Sequence, residues 1–485
     1  MHKVAAGARM HSLPVIYILM GYCMTNISSR VDGALPSLNA RRRSLFWRIH
    51  FWAALIASPF ALIAALTGIL YIFTPQIEQY LYADLDHVQP AGEIRTLDDA
   101  VAAARLAAPS GSMLRSVVPA LEPTDSTQIF FMLPASHPNR AADDGHAAHQ
   151  APAANGTAAA PTRTLVVYVN PYTTAVLGMH ADKERFSAWS KSLHSSLLQG
   201  QGWRWMIELA ASWLMVMLLT GIYLWWPRND EKMLPQRAVK GRKWWAQWHS
   251  FIGVVLSIMS FVILTTGLTW SKYAGEQVRL ARDSIGQAPP QAPRNLQSTP
   301  IEGQAVMTWQ AAADAARRQA PDIALQLTAP RGESGTWRIN NYDRSQPEKR
   351  VDMVLDAYSG NALFYAGWKD QTLFSKATGI GIPFHRGEFG WWNQILLLAF
   401  GLGIVFSLTS GWIMFFKRRK TGAFGLPKLL PGAWKSMPAG AWISALIMFA
   451  LMPVLAVSAT FLAALEMFLH YRAGGPRRKT DCRYR

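Results

Sequence analysis

Cysteine is almost absent: Cys23 and Cys482 are the only two in 485 residues, and no C-x-x-C pair occurs. A disulfide scaffold, an iron–sulfur cluster and covalent haem attachment through C-x-x-C-H therefore lack their ligands. Acidic residues are scarce as well, 30 against 48 Lys and Arg, giving a net charge of +18. The chain has no Gly-rich dinucleotide fingerprint after a strand, no G-x-x-x-x-G-K-[ST], no H-E-x-x-H and no G-x-S-x-G. Those gaps remove the usual nucleotide, zinc-protease and serine-hydrolase signatures, so electrons for any redox chemistry would come from a separate donor.

What the chain does have is long apolar runs. Phe251 to Trp270 contains no charged side chain, and about 20 residues at roughly 1.5 Å each cross a bilayer core. Phe51–Phe73, Met206–Trp226, Trp391–Phe416 and Ala441 to about Leu465 read the same way, the last with a Pro453 that a spanning helix tolerates. Half the residues are hydrophobic but the mean hydropathy is only +0.07, so much of the chain faces water. The fold class is an α-helical multi-pass membrane protein in a lipid bilayer.

Most of the positive excess sits beside these runs: Arg41 to Arg43 and Arg48, six Lys/Arg from Arg228 to Lys243, and Lys417 to Lys420. The positive-inside rule makes those loops cytoplasmic, and charge so placed argues against a nucleic-acid partner. The expected order is an N-terminal extension (1–43), spans at 44–74, 205–227, 249–272 and 391–416, external domains at 75–204 and 273–390, loops at 228–248 and 417–440, a fifth span at 441–470 and a basic tail (471–485). Leu13 to Met24 is short for a span and lacks a clear cleavage site; it reads as a signal-like segment, an interfacial helix or a misplaced start. Five spans would put the basic tail outside, in conflict with the same charge rule.

The chain is written twice. His50 precedes Thr67-Gly68 by 17 and 18 residues, and His249 precedes Thr266-Gly267 by the same interval. L-H-S-S-L-L-Q-G-Q-G-W, with His194 and later Gly221, corresponds to F-H-R-G-E-F-G-W-W, with His385 and later Gly411. Each external segment has an alanine-rich helical stretch (97–108; 307–320), β-type runs (165–169; 323–328, 336–339, 351–355) and an Asx-x-Tyr turn, V-N-P-Y-T-T and L-D-A-Y-S-G. The repeated unit is span, small α+β domain, span, giving a four-helix core in which no span looks broken. Residues 135–162 are Ala/Pro-rich without periodicity and read as a disordered insertion. His146 and His149 within it lack a folded context for metal binding.

Four of the twelve histidines occupy equivalent places: His50 and His249 at the cytoplasmic mouths, His194 and His385 before the returning spans. Each alone could be an interfacial imidazole reaching headgroups. In register, they fit two bis-imidazole sites, His50 with His249 and His194 with His385, each suited to a non-covalent b-type haem. Gly68, Gly221, Gly267 and Gly411 would let a flat macrocycle approach the backbone, although small residues also serve helix packing. Glycines 200, 202, 387 and 390 suggest a break between a surface segment and the span proper. Glu208, barely one turn into its span, is either functional or a partner of Arg204. Glu466 and His470 are weaker candidates for a further site, and Gly379-Ile380-Gly381 is too short a signal to interpret.

Taken in order, H-x-x-x-G at His249–Gly253, the Thr-Gly ends, L-H-S-S-L-L-Q-G, F-H-R-G-E-F-G, L-W-W-P-R and the paired Asx-x-Tyr turns resemble the PepSY-associated transmembrane family. That family includes bacterial iron-regulated inner-membrane proteins and ferric-siderophore reductases. The resemblance covers about 44–420 and implies a bacterial inner-membrane protein with two periplasmic PepSY domains. It also implies haem b held by His50, His194, His249 and His385, with electrons passed to ferric siderophores for iron uptake. Ala54 replaces the glycine usual four residues after His50. The competing readings are a non-enzymatic PepSY module binding a peptide, protease or transport partner, and a transporter. Same-orientation repeats without broken spans count against the last.

Overall fold

The computed structural model describes residues 36–134, 163–226, 234–419 and 425–473, with side chains to 469. The Leu13–Met24 run, both cysteines, the 135–162 insertion with His146 and His149, the tail beyond 473 and the His470 side chain lie outside the described residues.

Helix α1 (Leu38–Ile72) starts at Ser37, whose hydroxyl accepts the Ala40 N–H, and runs through Pro59 without interruption. Its 35 residues span about 52 Å, so Arg41 to Arg43 and Arg48 extend beyond the apolar stretch. After α2 (Thr74–Leu81), α3 (Ala83–Asp86) and α4 (Leu97–Ala107) come β1 (Met113–Val118), β2 (Thr127–Met132), β3 (Thr164–Val169) and β4 (Val176–Ala181). Helix α5 (Phe186–Ser196) leads back to the second span, α6 (Trp205–Trp225). The second half repeats this order: α7 (Arg242–Val255) and α8 (Ser257–Thr269), α9 (Ala274–Ser284), α10 (Trp309–Gln319), β5 (Leu325–Thr328), β6 (Thr336–Asn341), β7 (Val351–Asp356), β8 (Ala362–Gly367), α11 (Leu373–Arg386) and α12 (Trp391–Arg418).

The two water-facing segments form one body. Their antiparallel meanders join through β1 and β5, at Val117 opposite Leu327, into an eight-stranded sheet ordered β4-β3-β2-β1-β5-β6-β7-β8. Helices α4 and α10 cover one face, where Ala100, Ala104, Ala312 and Ala316 allow close approach around Val117, Ile129, Leu327, Trp337 and Ile339. Asp98 accepts the Trp309 and Gln310 N–H groups at the start of α10, and Gln310 returns its side-chain oxygen to the Leu97 N–H. Each half thus satisfies unpaired helix-terminal donors of the other. Both Asx turns form: Asn170 accepts from Tyr172 N and Thr173 N, Asp356 from Tyr358 N and Ser359 N. Each turn's tyrosine hydroxyl donates to a loop carbonyl, Tyr172 to Pro123 and Tyr358 to Glu333.

Among the described residues, three helices are long and apolar enough to cross a membrane, at 38–72, 201–225 and 391–418. The third span is broken, against the sequence expectation: α7 and α8 meet at 58° around Leu256. Leu256 packs where Gly403 of α12 leaves room, and a Cβ at Gly403 would collide with the leucine side chain.

The expected fifth span at 441–470 is two helices, α13 (Ala439–Leu451) and α14 (Pro453–Ala473), separated at Met452. The proline ring fixes φ and removes an N–H at the junction. Both arms return to the same end of α1. Before α13, Ser436 O accepts from Arg42; late in α14, Glu466 takes Arg48 in a two-pronged ion pair at 2.7 and 2.8 Å and also accepts the Trp52 indole N–H. Trp213 of α6 donates to Ser458 of α14, fixing the hairpin against α1 and α6. The two arms thus place Ser436 and Glu466 at the same end of α1.

Candidate functional site

The four histidines are held by one repeated device. Each Nδ1 meets the hydroxyl of a Thr-Gly or Ser-Gly pair on an adjacent helix: His50 with Thr220 at 3.0 Å, His194 with Thr67 at 2.9 Å, His385 with Thr266 at 3.0 Å and His249 with Ser410 at 3.0 Å. Each hydroxyl has a single hydrogen, already placed on a carbonyl of its own helix: Thr220 on Val216, Thr67 on Ile63, Thr266 on Val262 and Ser410 on Ser407. The hydroxyl oxygen must therefore accept, and Nδ1 must carry the proton. For His249 this is reinforced by Ser407 O, which only accepts, 2.9 Å from the same nitrogen. All four rings are thereby fixed as the Nδ1–H tautomer, leaving Nε2 as a free lone-pair donor, the state of a metal-ligating imidazole.

The neighbouring glycine makes room for the ring. A Cβ added at Gly267, Gly221, Gly68 or Gly411 would lie 3.2, 3.3, 3.4 and 3.8 Å from Cε1 of His385, His50, His194 and His249 respectively. Sequence reasoning picked out the Thr-Gly and Ser-Gly pairs but gave a role only to the glycine; the hydroxyl of Thr67, Thr220, Thr266 or Ser410 is what meets each imidazole.

The ring centres of His50 and His249 lie 6.4 Å apart, with their planes at 87°. Two metal–nitrogen bonds of about 2 Å plus the half-width of each ring require roughly 6 Å, so the gap suits one metal ion between two imidazoles. At the other end, burial and then the neighbouring His194 push the His385 imidazole down to about 4, keeping it neutral and able to bind metal. His194 and His385 sit on α5 and α11, the segments linking sheet to spans. Each segment ends in left-handed backbone, at Leu197 (φ +51°), Leu198 (+61°) and Gly200 (+80°), and at Gly387 (+78°) and Gly390 (+85°). The expected break is present; Gly202 is outside it, and the two leucines, which pay a steric cost there, were not foreseen.

All four histidines and all four glycines line a single cavity of about 810 Å³. Its wall is chiefly apolar, and it is cationic at both ends, with Arg43, Arg242 and Arg418 near His50 and His249, and Lys191, Arg204 and Arg386 near His194 and His385. The 17 residues of α1 between His50 and Thr67 put about 26 Å between the two levels. No group of three or more His, Cys, Asp or Glu that could hold a metal ion gathers among the described residues.

Other candidates resolve differently. Glu208, 1% exposed, accepts the Tyr273 and Ala274 N–H groups at 3.0 and 2.8 Å and caps the start of α9. Glu466 belongs to the ion pair with Arg48. Gly381, dismissed from sequence, lies where a Cβ would be 2.6 Å from the Thr266 methyl, directly behind the hydroxyl that orients His385.

A search of curated proteins gives no match. The family model described as the PepSY-associated TM region matches residues 47–418, most of the chain and all four cavity histidines, and the protein belongs to that family.

Proposed function

We propose that this protein is a transmembrane reductase that holds two non-covalent haem b groups, one between His50 and His249 and one between His194 and His385. The observation that carries the reading is the His50–His249 pair, with ring centres 6.4 Å apart and both Nδ1 protons committed to hydroxyl or carbonyl oxygens. Two protein ligands per site suit a macrocycle that supplies the remaining metal coordination. Haem b in such a setting supplies reversible one-electron transfer.

The chain's own residues do the rest. Thr220, Ser410, Thr67 and Thr266 orient the imidazoles and raise their basicity by accepting Nδ1–H. Gly221, Gly411, Gly68 and Gly267 leave space beside the rings, and the apolar wall excludes water. The arginine-rich loops support a cytoplasmic assignment for the His50–His249 end. In a bacterial inner membrane the sheet would then be periplasmic, with a separate donor on the cytoplasmic side and a ferric siderophore as acceptor. Reduction favours release because Fe(II) binds hard oxygen ligands less strongly and exchanges them faster than Fe(III).

Purified protein should show a Soret band and a reducible α band of bis-histidine haem, with two haems per chain. His249→Ala should remove one haem and leave the other. A folded, colourless preparation that takes up no added haem would overturn the proposal and favour a PepSY module that binds a peptide or protein partner.

A further inference from the structure

Residues 439–473 lie beyond the stretch that matches the family model, yet their hairpin is built onto the elements of the His50 site. Arg48 and Trp52 stand four residues apart and share one face of α1, while His50, midway between them, lies on the opposite face. The Glu466 carboxylate takes both from behind: Arg48 donates Nε and one Nη at 2.7 and 2.8 Å, and Trp52 donates its indole N–H. Arg48 also donates to Pro427 O, which draws the loop before the hairpin to the same turn. Farther along, Leu455 of α14 is buried with Ala53 and Ala57 of α1 and Leu209 and Trp213 of α6, and Val216 and Met217 pack alongside. Val216 and Met217 are the residues whose carbonyls accept the Thr220 hydroxyl that orients His50. One hairpin thus backs both members of a single imidazole–hydroxyl pair. The corresponding places around His249 hold Gln247 and Phe251, which have neither the cation nor the indole N–H.

We propose that Glu466 is a positioning residue for His50: through Arg48 and Trp52 it fixes the turn of α1 that presents the imidazole to Thr220. The His50–His249 site then depends on Glu466, and the His194–His385 site, about 26 Å away along α1, does not. The role rests on the reading of His50–His249 as a haem site, and a measurement made without haem keeps the two separable. Glutamine at 466 keeps the shape, removes the charge and takes away the carboxylate that holds two prongs of Arg48. Because the three side chains act as one unit, a second substitution in the same contact should add little to the first.

In the first arm, haem-free full-length protein is treated with diethyl pyrocarbonate and the modified histidines are read by mass spectrometry. In Glu466→Gln and in Arg48→Gln, His50 should react about fivefold or more faster than in wild type. The double variant should be no faster than either single one, and His194 and His385 should keep their wild-type rates. In the second arm, haem is titrated into the His385→Ala background, which retains only the His50–His249 pair, and the low-spin EPR spectrum is recorded. Glu466→Gln should weaken that site about tenfold and shift its g values, whereas in the His249→Ala background it should leave the remaining site as it was. Trp52→Phe keeps an aromatic ring and deletes one donor to the carboxylate; it should speed the His50 reaction about twofold and carries the test if Glu466→Gln does not fold. Unchanged His50 reactivity in all of these variants overturns the proposal, as does equal acceleration at His194 and His385, which would mean a general loosening of the spans. A wild type that takes up no haem, with His50 reactivity still dependent on Glu466, would sink the haem assignment and leave the positioning role standing.

Discussion

Replacing Thr220 by valine tests whether the hydroxyl, rather than the helix packing around it, prepares His50 for a metal. Valine keeps the shape of a side chain only 5% exposed and deletes the oxygen 3.0 Å from His50 Nδ1. The Nδ1–H then loses its acceptor in a buried site, a cost of about 1–3 kcal/mol. Removal of an outer-shell partner typically lowers metal affinity about 10- to 100-fold, which at 1.4 kcal/mol per decade is about 1.4–2.8 kcal/mol. The two routes agree. In a haem titration followed at the Soret band, Thr220→Val should weaken one of two sites by that factor, Thr220→Ser should bind nearly as wild type, and His50→Ala should abolish the site. Wild-type affinity at both sites in Thr220→Val, alongside loss in His50→Ala, would refute the tautomer argument and reduce the Thr-Gly pairs to packing.

The glycines should respond in order of space. Gly267→Ala and Gly221→Ala, with Cε1 at 3.2 and 3.3 Å, should shift the ring and impair haem binding, whereas Gly411→Ala, at an ordinary 3.8 Å, should be nearly silent; equal effects at all three would point to general helix packing. The hairpin is tested by cysteine labelling with Cys23 and Cys482 replaced by serine: Val239→Cys, Lys435→Cys and Leu469→Cys should all react with an impermeant maleimide from one side, and opposite sidedness for Leu469→Cys would restore a through-span. Asp356 gives a pH test. Burial disfavours its charge, but N–H groups of Ser359, Tyr358 and Thr299 prevail and hold the carboxyl below the usual range. Its stabilisation is therefore complete above the unfolded value near 4 and is lost as pH falls through the folded value. Asp356→Asn should lower the thermal midpoint at pH 7 and flatten the acid side of the stability profile.

Much of this was legible because period and spacing are local properties. The 17-residue interval, three of the five apolar runs, the alanine-rich helices and the Asx-x-Tyr turns each depend on residues close in sequence, and these formed as expected. What was not legible depends on a partner far along the chain. The bend at Leu256 is accommodated by Gly403, the single sheet arises from Val117 meeting Leu327, and the hairpin's docking rests on Arg48 with Glu466. A window of 20 apolar residues cannot separate one span from two arms meeting at Pro453, since composition is the same and only the return contact to α1 decides.

The hydroxyl–imidazole pairs also explain why the repeat matters chemically. Each half orients its own two histidines: His50 on Thr220 and His194 on Thr67 in the first, His249 on Ser410 and His385 on Thr266 in the second. Each proposed pair, however, takes one imidazole from each half. Orientation is therefore settled within a half, and the distance between the two imidazoles of a pair depends on how the halves meet. Two of the contacts that set that meeting, the β1–β5 junction and Asp98 at the α10 N-terminus, belong to the sheet domain, away from the four cavity histidines, while others, Trp412 to Ser58 and Glu208 to Tyr273 and Ala274, join the halves beside the cavity. A substitution in the sheet domain, such as Asp98→Ala, should leave each imidazole tautomer intact yet loosen the spacing across both pairs. Broadened low-spin haem signals at both sites, rather than loss of one, would be its signature. Loss confined to a single site would mean that the spans alone set the distance.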